Sequence, residues 1–300
     1  MSTSRRDFLA TSAAAALVAA LGQPRLTRAL QGQAPEPVFT PIRRNVGFFT
    51  MRGGTIGYLV NPDAVVVVDS QFPAEGKAFL EGVNTRSGNR PVDFLINTHH
   101  HGDHTGGNVS FRGAAKKVVA HAKAAEHMRQ PPGGQPPADQ LYPDTTFTET
   151  WSADAGDERV MARHYGRAHT SGDAVITFER ANVAHMGDLM SYQRNPRADR
   201  PAGASIVNWI PVLENVVKDH GGDTIYIFGH AKVGERVTGT SKDLLELRDY
   251  FTAMLDFTKK AIAAGKTQEE VLKTAAIPGF DRYEGTPTAL SAAYEELTAK

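Results

Sequence analysis

Residues 92–104 read Val-Asp-Phe-Leu-Ile-Asn-Thr-His-His-His-Gly-Asp-His, an apolar run that ends in a dense group of histidine and aspartate side chains. The apolar part, 92–97, predicts a β-strand. On a helix, His99 and His101 would point about 200° apart, whereas a loop that leaves the end of a strand can aim both at one point. The metal-capable side chains of His99, His101, Asp103 and His104 predict a metal site, and the competing interpretation is a polar turn that happens to be rich in histidine.

Three further side chains of the same kind occur downstream, each at the end of a predicted strand or in the turn after it: His169, Asp188 and His230. Each is a weak signal alone, but together they reinforce the metal prediction. The chain contains no cysteine, which excludes disulfides, thiolate metal sites, iron–sulfur clusters and cysteine nucleophiles. Any metal must therefore be held by histidine and carboxylate side chains.

In these residues the chain resembles the metallo-β-lactamase superfamily, whose motif His-x-His-x-Asp-His is matched by His99, His101, Asp103 and His104. The resemblance covers roughly residues 42–238. It implies an α/β fold, namely an αββα sandwich of two mixed sheets with helices outside and a two-metal site at one edge. It also implies the ligand sets: His99, His101 and His169 for the first metal, Asp103, His104 and His230 for the second, and Asp188 as a bridge.

Such a site implies an enzyme, a metal-dependent hydrolase. Ligands without a thiolate favour two Zn²⁺ ions per chain, with Fe or Mn as substitutes. Two cations would lower the pKa of a shared water from about 15.7 towards 7. The resulting hydroxide is expected to attack an ester, lactone, thioester or amide carbonyl, with Asp103 as the catalytic group that orients it and takes its proton.

The resemblance leaves alternatives open. In β-lactamases of the B1 type a cysteine stands at the position of Asp188 and a lysine at that of Ser191, so efficient β-lactam hydrolysis is not expected. A β-lactamase with aspartate in place of the cysteine ligand remains one alternative. Another is a mononuclear iron oxidoreductase similar to the sulfur dioxygenases, with the iron at His99, His101 and Asp188. A third is a metal-binding protein without catalytic activity.

Some residues are weaker candidates. Asp69, at the end of a valine-rich strand, is expected either to accept a hydrogen bond from a ligand imidazole or simply to begin a turn. Tyr192 and Lys232 lie close in sequence to Asp188 and His230, which makes them candidates for contact with substrate. Three arginines follow Asp188, and they form either a docking site for a substrate carboxylate or a solvated loop: Arg194, Arg197 and Arg200.

The first residues have the pattern of a twin-arginine signal peptide, with Arg5-Arg6-Asp-Phe-Leu before an alanine-rich apolar run. We expect residues 1–34 to form this signal, with cleavage after Ala29 or Ala34, and the mature protein to be periplasmic or secreted. The remainder, 35–300, predicts a single domain, in which 239–300 is a C-terminal helical extension that packs on the sandwich, caps the cleft or forms a dimer face.

Charge and hydropathy limit the partners. The 33 basic and 33 acidic residues balance, so no nucleic-acid partner is expected. No apolar run reaches the roughly 20 residues that span a bilayer. The expected partner is a small-molecule substrate, and the sequence does not determine the oligomeric state.

Turn residues and apolar periodicity divide the rest of the chain into elements. Strands are predicted at 46–51, 55–60, 64–68, 92–97, 116–120, 159–165, 174–179, 182–187 and 223–228. Helices are predicted at 74–86, 121–129, 205–219, 241–264 and 288–298. Residues 130–140 contain four prolines and two glycines and predict an irregular loop, either a surface insertion or a lid over the site.

Overall fold

The computed structural model of the protein describes residues 36–285 and 287–299. The predicted signal peptide and both of its cleavage sites lie outside these residues. The strands are β1 (Val38–Arg43), β2 (Val46–Thr50), β3 (Ile56–Val60), β4 (Val65–Val68), β5 (Val92–Asn97), β6 (Ala115–His121), β7 (Thr145–Phe147), β8 (Thr150–Ala155), β9 (Glu158–Arg163), β10 (Val175–Phe178), β11 (Val183–His185), β12 (Ser191–Tyr192), β13 (Ile225–Ile227), β14 (His230–Ala231) and β15 (Thr238–Gly239).

The helices are α1 (Pro73–Ser87), α2 (Gly102–Thr105), α3 (Ala122–Arg129), α4 (Ile206–Asp219), α5 (Ser241–Ala263), α6 (Gln268–Leu272) and α7 (Ala289–Thr298), and two 3-10 turns cover Gly106–Phe111 and Gly187–Leu189. Every strand and helix predicted from the sequence is present, with ends shifted by a few residues. Within the described residues, no helix combines the length and the hydropathy that crossing a bilayer requires.

Two mixed sheets face each other. The first has the order β1-β2-β3-β4-β5-β6-β7, with antiparallel pairs as far as β4 and parallel pairs beyond it. The second has the order β15-β13-β11-β10-β9-β8 and is antiparallel except for the pair β11 and β13. Strands β12 and β14 form a separate, short parallel pair.

Strand β4 shows how the layers are packed. Its four valines are all buried, and successive side chains of a strand point to opposite faces. Val66 and Val68 face the second sheet and share a core with Ile176 of β10. Val65 and Val67 face outward and pack with Phe79 of α1. Strand β4 is therefore buried on both faces.

The outer face of the second sheet is covered by helices. Tyr226 of β13 packs there with Trp209 of α4 and Phe251 of α5. Each large apolar side chain buried in this way contributes about 1.5 to 3 kcal/mol. The order of layers is helix, sheet, sheet, helix, which confirms the predicted αββα sandwich.

The last helices pack on the same outer face. Leu247 of α5, Val271 of α6 and Leu290 of α7 all belong to the core beneath α4. The carboxylate of Glu296 in α7 accepts a hydrogen bond of 2.8 Å from the backbone N–H of Ile206, the first residue of α4. Such a bond satisfies a backbone donor that a helix N-terminus leaves unpaired. The C-terminal helices thus hold α4 against the second sheet.

Candidate metal centre

The candidate ligands meet at one edge of the sandwich. His99 follows β5, Asp188 follows β11 and His230 follows β13, while His169 lies in the loop between β9 and β10. Strands β11 and β13 are parallel, so their carboxyl ends lie at the same edge. A backbone hydrogen bond of 2.8 Å from Ala174 N–H to the carbonyl oxygen of Thr98 joins this loop to the histidine motif.

The histidine motif changes conformation at His101. This residue has extended dihedral angles, φ −63° and ψ 147°, and precedes the single helical turn of α2. His99 and His101 point to the same side, since His99 Nε2 lies 3.2 Å from His101 Nδ1, and His100 faces a neighbouring cavity that His99 does not line. The turn then carries Asp103 and His104 to the same edge. The motif thus consists of a bend at residues 98–100, the extended residue His101 and one turn of helix.

The ligand atoms form two groups in which all atoms lie within 4.8 Å of one another. They are His99, His101, His169 and Asp188 in what we call cluster 1, and Asp103, His104 and His230 in cluster 2. In cluster 1, His101 Nδ1 lies 3.2 Å from His99 Nε2 and 2.9 Å from His169 Nε2. In cluster 2, His104 Nε2 lies 3.3 Å from His230 Nε2. All seven residues predicted from the sequence are therefore brought together.

Asp69 orients one imidazole in each cluster. This carboxylate is fully buried, and its Oδ2 accepts hydrogen bonds of 2.8 Å from His104 Nδ1 and from the hydroxyl of Thr98. The same hydroxyl lies 3.0 Å from His99 Nδ1. Since the hydroxyl donates to Asp69, it accepts from His99 Nδ1–H. Both imidazoles consequently turn Nε2 towards the clusters.

Two other acceptors orient His101 and His169. His101 Nε2 donates to Asp199 Oδ2 at 2.8 Å, and His169 Nδ1 donates to the carbonyl oxygen of Arg197 at 2.7 Å. His101 therefore offers Nδ1, and His169 offers Nε2. Asp199 also lies 3.7 Å from His100 Nε2. His100, His101 and Asp199 form a third group of metal-capable side chains, but because the ring proton of His101 bonds Asp199, we interpret the carboxylate as a positioning group.

Asp199 was not predicted from the sequence. It lies in the loop after β12, between two of the arginines, and nothing in the local pattern separates it from other solvated charges. The contact with His101 spans 98 residues of sequence. This contact forms only in the folded structure, so the sequence pattern cannot predict it.

The two clusters fit metal ions. Lone pairs of neighbouring imidazoles face one another at 2.9 to 3.3 Å, an arrangement that is repulsive unless a cation or a proton lies between them. Metal–nitrogen bonds of 2.0 to 2.1 Å in a tetrahedral site place ligand nitrogens about 3.3 Å apart, close to these separations. Asp188 Oδ1 is buried and accepts no well-aligned hydrogen bond, although it lies 3.0 Å from His104 Nε2. A ligand atom without a donor is what a metal site requires.

Asp188 lies between the clusters. Its Oδ1 is 3.0 Å from His104 Nε2 and 3.3 Å from His230 Nε2, and its Oδ2 is 3.6 Å from His169 Nε2. Burial opposes its ionisation, but the neighbouring His230 and His104 outweigh burial and hold the pKa of Asp188 well below its usual range. The carboxylate is therefore anionic and presents one oxygen to each cluster.

The histidines divide into two electrostatic types. Burial lowers the pKa of His169 to about 4 and that of His99 well below its usual range, so both are neutral at pH 7. His104 is also buried, yet Asp188 and Asp69 overcome this and raise its pKa well above the usual range. In the metal-free protein His104 holds a proton that a cation can replace.

Asp103 is the most open member of the clusters, with its side chain 32% exposed against 12% for Asp188. Its Oδ2 lies 3.1 Å from His230 Nε2. Burial raises the pKa of Asp103, but the hydrogen bond from His230 and the charge of His104 reverse this and lower it to about 2. Asp103 is thus ionised at neutral pH and accessible at the mouth of the site.

Two glycines allow the clusters to pack this closely. A Cβ atom at Gly54 would overlap the ring of His104, and one at Gly229 would overlap Asp188 Oδ1 and the backbone of Gly187. Both contacts involve groups that the surrounding hydrogen bonds hold in place. A larger residue at either position would displace a ligand.

A cavity of about 100 Å³ opens above the clusters. Its lining residues are His101, Asp103, Asp188, Ser191, Arg194, Asn195, Arg197 and His230. Two of the three arginines that the sequence assigned either to a docking site or to a solvated loop therefore border the site. The weaker candidates Tyr192 and Lys232 lie outside both clusters: the ring of Tyr192 stacks on Phe228 at 5.9 Å, and the backbone N–H of Lys232 bonds the carbonyl oxygen of Tyr192.

Comparison with known proteins agrees with this geometry. The sequence profile of the family described as "Metallo-beta-lactamase superfamily" matches residues 50–238, more than half of the chain. A curated relative, "Metallo-beta-lactamase type 2" from Bacillus cereus, is 26% identical over 173 residues. This alignment covers 57% of the chain and 64% of the relative, so the chain spans less than two thirds of that protein's length.

Solved structures show the same fold. A metallo-β-lactamase from Pontibacter korlensis superposes with a TM-score of 0.59 at 18% identity and covers 72% of this chain and 99% of its own. A stereoselective inverting sec-alkylsulfatase from Pseudomonas sp. superposes with a TM-score of 0.67 at 15% identity and covers 87% of this chain and 50% of its own. At these identities the likeness concerns the fold.

Proposed function

Since the chain belongs to the metallo-β-lactamase superfamily, whose members are generally metal-dependent hydrolases, we propose that it is a hydrolase that holds two metal ions and cleaves an ester, lactone, thioester or amide. The observation that carries the proposal is the position of Asp188, whose two oxygens face two separate groups of ligand atoms. A single carboxylate between two imidazole clusters is suited to hold two cations close together.

The donor set determines which residues would hold the ions. His99, His101 and His169 would bind the first, Asp103, His104 and His230 the second, and Asp188 both. Imidazole and carboxylate without thiolate suit Zn²⁺, with Fe or Mn as substitutes. When bound, two such ions supply a water with a pKa near 7 and polarise the substrate carbonyl.

Asp103 is suited to proton transfer. It is ionised at neutral pH and more exposed than the other carboxylate of the clusters. It lies beside His230, which fixes one of its oxygens. A carboxylate held in this way can orient an attacking water through hydrogen bonding, accept its proton and pass it to the leaving group.

The arginines favour an anionic group on the substrate. Arg194 and Arg197 line the cavity above the clusters, and guanidinium groups bind carboxylates in a bidentate manner. This observation supports β-lactam hydrolysis as a second candidate function, since β-lactam antibiotics carry such a carboxylate and the Bacillus cereus relative is a metallo-β-lactamase. Against it, Asp188 and Ser191 stand where B1 enzymes have cysteine and lysine.

Metal analysis and a substrate screen test the proposal. The purified protein loaded with Zn²⁺ should contain two ions per chain and hydrolyse at least one member of a panel of esters, lactones, thioesters, amides and β-lactams. Asp188→Asn serves as the matched inactive variant. One tightly bound iron per chain, with oxygen consumption in the presence of a thiol, would instead support the iron oxidoreductase.

We also propose that the protein is exported, because Arg5-Arg6 precedes an apolar run of the type that twin-arginine signals contain. Cell fractionation of the full chain should place the protein in the periplasm or the medium. Replacing both arginines by lysine should retain it in the cytoplasm. Unchanged distribution of this variant would contradict the export proposal and leave the hydrolase proposal intact.

A further inference from the structure

A second cavity, of about 250 Å³, lies beside cluster 1 and away from the arginines. It is bounded by the histidine motif, by the end of α3 and by the irregular segment 130–140. Its lining residues are His100, His101, Gly102, Thr105, Gly106, His127, Met128, Pro131, Pro132, Gln135, Pro137, Gln140 and Asp199. An apolar cavity of about 150 Å³ accommodates benzene, so this cavity has room for a phenyl ring with a short substituent.

The walls of this cavity are mainly apolar and uncharged. Met128 and three prolines form most of its surface on the side of the segment 130–140. Among the described lining residues Asp199 is the ionised one, and its carboxylate already accepts the ring proton of His101. His127 uses Nε2 in a hydrogen bond of 3.0 Å with the hydroxyl of Ser171. A charged ligand group would therefore find no free counter-charge here.

The proline-rich wall has a defined conformation. The backbone N–H of Gly134 donates to the carbonyl oxygen of Pro131 at 3.1 Å, and Gly133 has a φ of +73°. Proline at the second position and glycine at the third, with positive φ, are typical of a type II turn. Gln140 Nε2 bonds the carbonyl oxygen of Thr105 at 3.3 Å, which ties the segment to the motif. A preformed wall loses little conformational entropy when a ligand binds.

The cavity borders the metal centre, with His101 between the two. His101 lines both this cavity and the smaller one above the clusters. A substituent attached to a carbonyl at the clusters can therefore extend past His101 into the space under the prolines. In the smaller cavity the same carbonyl would lie near Arg194 and Arg197, which do not line the larger one.

We propose that the cavity under segment 130–140 binds an uncharged, largely apolar substituent of the substrate, of about the size of a benzyl group. The proposal rests on the proposed hydrolase function for the identity of the ligand as substrate. It defines the preferred substrate as a molecule whose apolar group lies on the His100 side of the scissile carbonyl. The segment 130–140 is then a specificity wall.

Three variants separate this role from a general effect on the loop. Pro132→Phe and Gln135→Phe place a ring at two lining positions of the segment. Ala138→Phe is the matched control, because Ala138 is an exposed residue of the same segment and is not among the lining residues. Equal thermal unfolding midpoints establish that all four proteins are folded.

Binding is measured first, without turnover. Titration of 4-fluorobenzyl alcohol, followed by ¹⁹F NMR, should show millimolar binding to the wild-type protein and to Ala138→Phe. The two filling variants should bind at least about tenfold more weakly, equivalent to about 1.4 kcal/mol. Absence of binding to the wild-type protein, or equal binding to all four proteins, would overturn the proposal.

Turnover by the Zn²⁺-loaded protein provides the second measurement. The ratio of kcat/KM for 4-nitrophenyl phenylacetate to that for 4-nitrophenyl acetate should fall about tenfold in both filling variants and stay constant in Ala138→Phe. Probe binding with no hydrolysis of any ester would contradict the hydrolase proposal and leave the cavity assignment standing. Hydrolysis with an unchanged ratio of kcat/KM in all variants would contradict the cavity assignment and leave the hydrolase proposal standing.

Discussion

Replacing Asp69 by asparagine tests how the clusters are oriented. Asp69 accepts three hydrogen bonds of 2.8 Å, from the backbone N–H and hydroxyl of Thr98 and from His104 Nδ1. An asparagine has the same shape but must turn its amino group towards one of these donors. If it faces the Thr98 N–H, two donors meet. If it faces His104, the imidazole must accept at Nδ1 and carry its proton on Nε2, the atom that points into cluster 2.

The structure gives the size of the effect. His104 is buried and its charged form pairs with Asp69, and breaking a buried ion pair on one side costs about 3 to 5 kcal/mol. We expect Asp69→Asn to lower the free energy of unfolding by an amount near the lower value, about 3 kcal/mol, because Asp188 remains as a second partner of His104. Loss of an outer hydrogen bond to a metal-binding histidine lowers metal affinity by roughly 10 to 100-fold. Cluster 2 should lose more affinity than cluster 1, since His99 contacts Asp69 only through Thr98.

Two measurements follow from this. Urea unfolding of the metal-free protein gives the free-energy difference, and Zn²⁺ titration against a chelating indicator gives the two affinities. The control is Asp154→Asn, because Asp154 is 74% exposed and its ion pair with Arg159 is 3.5 Å long, a pair worth less than about 1 kcal/mol. Unchanged affinity at both clusters in Asp69→Asn would refute the orienting role of Asp69.

Three other changes give distinct results. Asp188→Asn should remove most of the bound Zn²⁺ and lower turnover by at least about 100-fold with little change in the unfolding midpoint; full metal content, by elemental analysis, would contradict the bridging role. His121 caps α3 by accepting from Lys123 N–H and donates to the carbonyl oxygen of Thr148, and burial, together with His164, lowers its pKa to about 4. The unfolded chain therefore takes up the extra proton between about pH 6.5 and 4, so the contribution of His121 to the free energy of unfolding should fall by about 1 to 2 kcal/mol from pH 7 to pH 5, and the pH dependence of His121→Asn in urea titrations should be flatter by that amount. Ser191→Lys should lower KM for β-lactams more than it raises kcat, because an ion pair remote from the reacting bond is equally strong in ground and transition states; an unchanged KM would argue against a carboxylate site there.

Central elements were predictable from the sequence because their signals are local. Strand β5 was predicted at 92–97 and lies at Val92–Asn97, and helix α1 was predicted at 74–86 and lies at Pro73–Ser87. Both have clear turn residues at their ends and bury apolar side chains. Six strands were missed: β1, β7, β8 and β15 at the margins of the two sheets, and the two-residue strands β12 and β14 of the separate pair. Edge strands are short or only half-buried, so their composition carries little of the apolar signal that identifies central strands.

The same distinction applies to the metal centre. The seven metal-capable residues were found because histidine and aspartate at strand ends form a pattern that the chain itself displays. Asp199 and the cavity under 130–140 were not predicted. The contact between Asp199 and His101 joins residues 98 apart in sequence, and the cavity lies between three segments, so both form only after folding. Sequence patterns identify the atoms that could bind a metal, whereas the orientation of each imidazole depends on tertiary contacts.

Because the ligands of cluster 1 come from both sheets, metal binding should stabilise the sandwich. His99 and His101 follow β5 of the first sheet, whereas His169 and Asp188 are carried by the loops of the second. An ion in cluster 1 would therefore join the two sheets at an edge where the described contacts include only a few backbone hydrogen bonds, such as Ala174 to Thr98. Because the unfolded chain lacks this preformed arrangement, a metal at 100 times its dissociation constant adds about 2.7 kcal/mol to the free energy of unfolding. Without metal, the imidazole nitrogens that face one another at 2.9 to 3.3 Å repel. The same nitrogens make the ion a structural link between the two sheets when it is bound.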